Sequence, residues 1–260
     1  MEQSSDDEEC LGAIGSMFDT EMHKDRQIHN FAGDTYSVIT YSIVQENPGA
    51  LISGQYLWPG ASALCNFLLE LWGIGSTGTP HFTSEVRALE LGAGCGLSGL
   101  LCAQLPGVAE VGFTDRDQGA LALVQQALDD PEQAPRLRAR CWTTPLEWGP
   151  SAGGQGGTGP LACSFLLDRT FNLIIGSDVI YTSTVVPLLF STVDKFLDVA
   201  EPQQAIFLMS SSFSYDEETE SAIDLVCDEM CLHRKIIRCD LETGGSRIQI
   251  FIRKGKEGTT

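Results

Sequence analysis

This 260-residue chain has few basic residues: 16 lysines and arginines stand against 35 aspartates and glutamates, giving a formal net charge of −19. Affinity for nucleic acid draws on Lys and Arg that neutralise phosphates, so the shortage argues against a nucleic-acid binder. What remains is either a surface that attracts a basic protein or peptide, or a charge that simply maintains solubility. Long apolar runs are missing too. None approaches the ~20 residues of a membrane-spanning helix, and no membrane association is expected. Cysteine is plentiful, at nine residues, but no C-x-x-C pair occurs. Cys227 and Cys231 stand one helical turn apart with no histidine pair to complete a zinc site, so no metal is expected. The start Met-Glu-Gln-Ser-Ser-Asp-Asp-Glu-Glu is the reverse of a basic secretory leader. Reduced thiols in the cytoplasm, with the nucleus as a second compartment, are the corresponding expectation.

With 43% apolar residues the chain can bury one large core. Residues 1–30 are acidic and patternless and are expected to be disordered; residues 31–260 read as a single domain. The β-branched run 36–45, the turn residues Asn47-Pro48-Gly49 and the stretch 51–57 suggest a hairpin ahead of the main sheet. Pro59 sits at an N1 position, opening a helix that runs to Trp72. Strands are expected near 86–91, 109–114, 137–142, 171–176, 204–210, 232–237 and 247–253. Helices are expected near 97–105, 117–129, 184–198 and 216–230, with Ser183 or Thr184 capping the third of these. This alternation predicts an α/β, doubly wound, Rossmann-like sheet of seven mostly parallel strands. The link 241–246 is too short for a crossover, so the last two strands should form an antiparallel hairpin. The Gly-rich stretch 150–160 reads as a flexible insertion.

The most informative segment is 85–99, Glu-Val-Arg-Ala-Leu-Glu-Leu-Gly-Ala-Gly-Cys-Gly-Leu-Ser-Gly. A strand ends in the acid Glu90 and opens into closely spaced glycines, followed by a helix, a second strand and Asp115. Two registers overlap. Gly94, Gly96 and Gly99 spell G-x-G-x-x-G with an acid about 20 residues on, the dinucleotide fingerprint. Gly92, Gly94 and Gly96 spell acid-x-G-x-G-x-G. The loop alone does not choose between them. Cys95, inside it, reads as a small packing residue.

The second register resembles the glycine loop of the seven-strand S-adenosylmethionine-dependent methyltransferases. Three further blocks strengthen the likeness: Gln55-Tyr56-Leu57-Trp58-Pro59, Leu146-Glu147-Trp148-Gly149, and Ser177-Asp178-Val179-Ile180-Tyr181. Together, in this order, the four blocks resemble the family-16 protein-lysine methyltransferases of the methyltransferase-like-21 group. The resemblance runs from about Gly54 to Arg253. It implies S-adenosylmethionine as cofactor, held by Trp58, Glu90, Gly92, Gly94, Gly96, Asp115, Arg116, Trp148 and Ser177. It also implies a monomer that acts on a protein lysine, with Asp178 orienting the acceptor nitrogen and Tyr181 supplying an aromatic wall. Trp142 has no such support and is assigned to the core. Two departures bear on the acceptor and the adenine side: Gln125 to Asp130 lacks the asparagines common in that family, and Met209 to Ser214 lacks its arginine. Histidine, a small molecule or RNA remain alternative acceptors, as does a noncatalytic cofactor-binding module.

Overall fold

The computed structural model describes residues 24–43, 53–75, 81–149, 165–166, 168–198, 205–239, 241 and 245–254. The insertion at 150–160 and most of the acidic N-terminal stretch lie outside them. Two strands, β1 (Lys24–Phe31) and β2 (Tyr36–Ile43), form an antiparallel hairpin of their own. The other seven, β3 (Val86–Leu91), β4 (Val108–Asp115), β5 (Arg140–Pro145), β6 (Leu173–Ser177), β7 (Ile206–Ser211), β8 (Leu232–Cys239) and β9 (Arg247–Arg253), form one sheet in the order β5-β4-β3-β6-β7-β9-β8. Pairing is parallel from β5 through β7. It becomes antiparallel where β9 inserts between β7 and β8. The expected sheet and terminal hairpin are therefore both present.

Period-two alternation sends neighbouring side chains of each strand into two separate cores. Leu173, Ile175, Ile206 and Leu208 join the layer formed by helices α1 (Pro59–Leu71), α2 (Leu97–Cys102) and α3 (Gln118–Leu128). Leu89, Ile174, Phe207, Met209 and Phe251 face α4 (Val185–Phe196) and α5 (Glu217–Glu229). Because both faces are covered, the central strands are apolar throughout rather than alternating. Helix α1 starts with Pro59 and buries Ala61, Leu64, Cys65 and Leu68 on one stripe. It ends at Gly73, whose positive φ lets the amides of Gly73 and Ile74 turn back onto Glu70 and Leu69.

Three expectations need correction. The hairpin partner of β2 is not 51–57 but Lys24–Phe31, so residues 24–30, read as patternless, form a strand; 53–55 is a short 3-10 turn. In β1 the exposed Lys24, Arg26, Ile28 and Asn30 alternate with the partly buried Asp25, Gln27 and His29 and the buried Phe31, because only one of its faces is covered. The third strand of the sheet begins at Arg140 rather than 137, since the Leu137 amide closes the 3-10 turn 134–136 and the amides of Arg138 and Ala139 donate to the Ala103 carbonyl. Neither Ser183 nor Thr184 caps α4 through its side chain: Ser183 donates to Glu218 instead, and the two threonines 182 and 184 bond each other. Trp142 is partly buried. It packs over Gly112, where a Cβ would stand 2.2 Å from its ring, and its indole N–H donates to Glu110.

The hairpin is fastened to the end of α3 by Asp130. This buried carboxylate accepts from Arg26 Nε at 2.9 Å, Tyr41 Oη at 2.8 Å and the Glu132 amide at 2.9 Å. The Arg26 guanidinium holds it well below the usual carboxylate range. Stability from such a depressed group is complete above its unfolded value and is lost as pH falls from there through the lowered folded one. Asp130→Asn should therefore accelerate amide hydrogen exchange across β1 and β2 at neutral pH while leaving β6 and β7 protected. Wild-type protein should show the same selective loosening on acidification. Equal protection of β1 in variant and wild type would refute this role.

Candidate active site

The sheet order reverses direction at β3: the chain goes from β3 outward to β4 and β5, then returns to place β6 on the other side of β3. Ligands of such sheets bind outside the carboxyl ends of the strands at this point. A cavity of about 900 Å³ lies there. It is lined by Gly54, Gly92, Asp115, Arg116 and Asp117, by Leu146, Glu147 and Trp148, and by Ser177, Asp178, Val179, Tyr181 and Phe213. Trp58, Val185 and Leu188 complete the lining.

Gly92 follows β3 directly. Its φ of +63° suits glycine, and a Cβ built on it would lie 2.9 Å from Val179 and 3.1 Å from the Trp148 ring. The loop is pinned from below. Asp115 accepts from the Gly94 amide at 3.0 Å through Oδ2 and from the Asp117 amide at 2.9 Å through Oδ1. Burial pushes its carboxyl up, and those two amides pull it down. Asp117 caps α3 by accepting from Gly119 and takes a hydrogen bond from Gln55 Nε2 at 2.9 Å. In this way the segment before α1 is tied to the start of α3.

The expected site residues fall into two groups. Trp58, Gly92, Asp115, Arg116, Trp148, Ser177, Asp178 and Tyr181 all line the cavity. Glu90, Gly94 and Gly96 do not line it; Glu90 and Gly96 are buried, and Gly94 is partly buried. Glu90, 2% exposed, accepts from the Gly99 amide at 3.2 Å at the start of α2. Gly94 packs against the Gly54 carbonyl, and Gly96 packs against Val124. Cys95 is a buried packing residue, its thiol pushed up to about 12 by burial. Tyr181 is 64% exposed and Trp58 44% exposed, so both stand at the mouth rather than in the core.

The carboxylate of Asp178 is already engaged. Oδ2 accepts from the Gly60 amide at 2.8 Å and Oδ1 from the Ser212 amide at 2.6 Å. Its backbone adopts φ +53°, a costly conformation for a non-glycine residue and one that tends to occur at functional sites. The sequence reading missed Gly54, Asp117, Leu188 and Phe213. Asp117 had a usable signal, an Asp directly before an apolar helical run. Phe213 follows the end of a central strand, on the edge where ligands gather.

Fold and cavity together define a Rossmann-like α/β protein of the seven-stranded methyltransferase class. A Streptococcus mutans protein assigned as a SAM-dependent methyltransferase superposes with a TM-score of 0.51 over 88% of this chain and 55% of its own, at 7% identity; this likeness concerns the fold alone. The profile of the family described as Lysine methyltransferase matches residues 41–222, and the chain belongs to that family. The chain is 30% identical over 173 residues to the protein N-terminal and lysine N-methyltransferase EFM7 of Cryptococcus neoformans var. neoformans serotype D, covering 65% of this chain and 48% of that one. It is 31% identical over 166 residues to the protein N-lysine methyltransferase METTL21A of Xenopus tropicalis, covering 62% of each. The chain thus spans about half to three fifths of the curated relatives it matches.

Burial, above all other effects, pushes the Glu90 carboxyl up to about 8. A carboxyl raised on folding contributes stability that is complete below its unfolded value and is lost as pH rises through the folded one. Glu90→Gln keeps an acceptor for the Gly99 amide but cannot ionise. Compared with wild type, the ligand-free variant should gain thermal stability between about pH 5 and about pH 9. A difference in Tm that stays flat over that range would argue against this buried carboxyl being protonated.

Proposed function

We propose that this protein transfers a methyl group from S-adenosylmethionine to the side-chain amine of a lysine in a protein substrate. The observation that carries this reading is a single cavity at the switch point. It joins the Gly92–Asp115 side to the Tyr181–Phe213 side, in a chain of the lysine methyltransferase family.

The residues present fit the donor. Asp115 keeps carboxylate lone pairs beyond those used by Gly94 and Asp117, and these can accept from ribose hydroxyls. At Gly92 a side chain would fill the space against Trp148 and Val179. Asp115, Asp117, Glu147 and Asp178 give the lining a negative balance against Arg116, which suits a ligand carrying sulfonium and ammonium charges. Bound there, the donor supplies an electrophilic methyl group. The chain's own residues then have two tasks: to hold the acceptor in line and to favour its uncharged form. A lysine amine with a pKa of roughly 10.4 must shed a proton before it can attack. The apolar surfaces of Trp58, Tyr181, Leu188 and Phe213 strip water from the amine and so favour the neutral species. The exposed mouth at Tyr181 leaves a path for the proton to reach solvent. The charge balance of the chain supports a basic substrate.

One relative's name also covers protein N-termini, and an α-amine offers the same lone pair at a lower pKa of about 7.7–8.0. The two acceptors separate by pH. Transfer to an α-amine should level off above about pH 8, whereas transfer to lysine should keep rising toward about pH 10.

Incubation with tritiated donor and a cell lysate should label material that protease destroys, with the label recovered as methyl-lysine after acid hydrolysis. Label that survives protease, or none at all, counts against the proposal. In calorimetry the protein should bind S-adenosylmethionine and not NAD. Asp115→Ala should weaken donor binding by about 10- to 100-fold, the worth of charged hydrogen bonds lost together with the loop they anchor. Unchanged affinity would show that this carboxylate does not hold the donor.

A further inference from the structure

Resting on the methyltransferase reading, we propose that Asp178 is a positioning residue whose carboxylate locks three segments of the cavity wall together, and not the group that takes the acceptor's proton. The lock is centred on Gly60. Helix α1 begins with Trp58 as N-cap, which makes no side-chain cap bond, and with Pro59, which has no amide to donate. The first free donor of the helix is therefore the Gly60 amide, and Asp178 accepts it at 2.8 Å. The carbonyl of Gly60 is held as well, accepting from Ser210 Oγ at 2.8 Å in a buried bond. The Asp178 amide donates to the Ser210 carbonyl at 3.0 Å, and the other carboxylate oxygen takes the Ser212 amide at 2.6 Å. The entry to α1, the end of β6 and the end of β7 thus share one hydrogen-bonded cluster.

Each of these segments carries one aromatic residue of the cavity: Trp58 two residues before Gly60, Tyr181 three after Asp178, and Phe213 one after Ser212. A single carboxylate consequently sets the spacing of all three. Two features match a fixed part better than a proton carrier. The φ of +53° at Asp178 persists only where surrounding contacts over-determine it, and the four bonds above supply such contacts. A Cβ at position 60 would stand 2.4 Å from Oδ2, so the helix and the carboxylate meet at a distance that only glycine permits. The lone pairs that face the two amides are used for holding backbone.

The lock can be broken from three sides. Asp178→Ala or Asp178→Asn alters the carboxylate. Gly60→Ala keeps it but forces it away, in a residue type that favours the helix. Ser210→Ala removes only the hydroxyl bond to Gly60. Hydrogen exchange on the free protein should show the amides at positions 60 and 212 opening about tenfold faster in Asp178→Ala and Gly60→Ala, and to a lesser degree in Ser210→Ala. In steady-state assays the same variants should raise the donor KM by about tenfold, while kcat keeps the wild-type dependence on pH. The proposal is overturned if Asp178→Asn silences turnover or shifts its pH dependence while donor KM and amide exchange stay as in wild type and Gly60→Ala behaves normally. The exchange measurement needs neither donor nor substrate, so its result stands even if the chain proves not to transfer methyl groups. Should Asp178→Ala fail to fold, Gly60→Ala and Ser210→Ala still decide the matter.

Discussion

A carboxylate that accepts from backbone amides is the interaction from which this cavity is built. Asp115 takes the amides of Gly94 and Asp117, Asp117 takes that of Gly119, Glu90 takes that of Gly99, and Asp178 takes those of Gly60 and Ser212. Each bond joins the end of a strand, or the turn after it, to the first turn of a helix or to a loop. Parallel strands end in unpaired backbone groups at the carboxyl edge, and helices begin with unpaired amides. Short acidic side chains at that edge satisfy the second and shape the first. The three aspartates face the cavity, whereas Glu90 is buried and does not line it. Asp115, Asp117 and Asp178 therefore both fix the walls and give the lining its negative balance.

Much of this was legible in the sequence because the relevant signals are local. The end of β3, its glycines and the acid after β4 are set by neighbours in the chain, and the strands 86–91 and 247–253 occur at the expected residues. The central strands expected near 171–176 and 204–210 are present as Leu173–Ser177 and Ile206–Ser211. What failed depended on distant partners. The strand Lys24–Phe31 looks polar because half of its side chains face water, and its anchor, Asp130, lies 104 residues from Arg26. Ser183 resembles a cap in sequence, but Glu218 of another helix engages it.

The candidate site divides along the same line. Residues at or just after strand ends, such as Gly92, Asp115 and Ser177, line the cavity as their positions suggested. Glu90, Gly94 and Gly96 were equally visible but are not part of the lining, because a motif marks a loop and not which side of it faces the cavity. Asp178 is the sharper case. Its place at the end of β6 was plain, whereas the partner that gives it a role, Gly60, lies 118 residues away in the sequence.

The outermost strand shows how the sheet is finished. Arg234 bonds Glu220 and Asp224 on α5, which covers one face, while Arg238 bonds Glu70 on α1, which covers the other. Four residues apart, the two arginines would point the same way in a regular strand. The irregularity between Ile236 and Arg238 adds one residue and turns the second across. β8 is thereby riveted to both helical layers, and its margin is kinked and cationic. At this edge a foreign strand would find neither a straight rail of amides nor a neutral border to lie against.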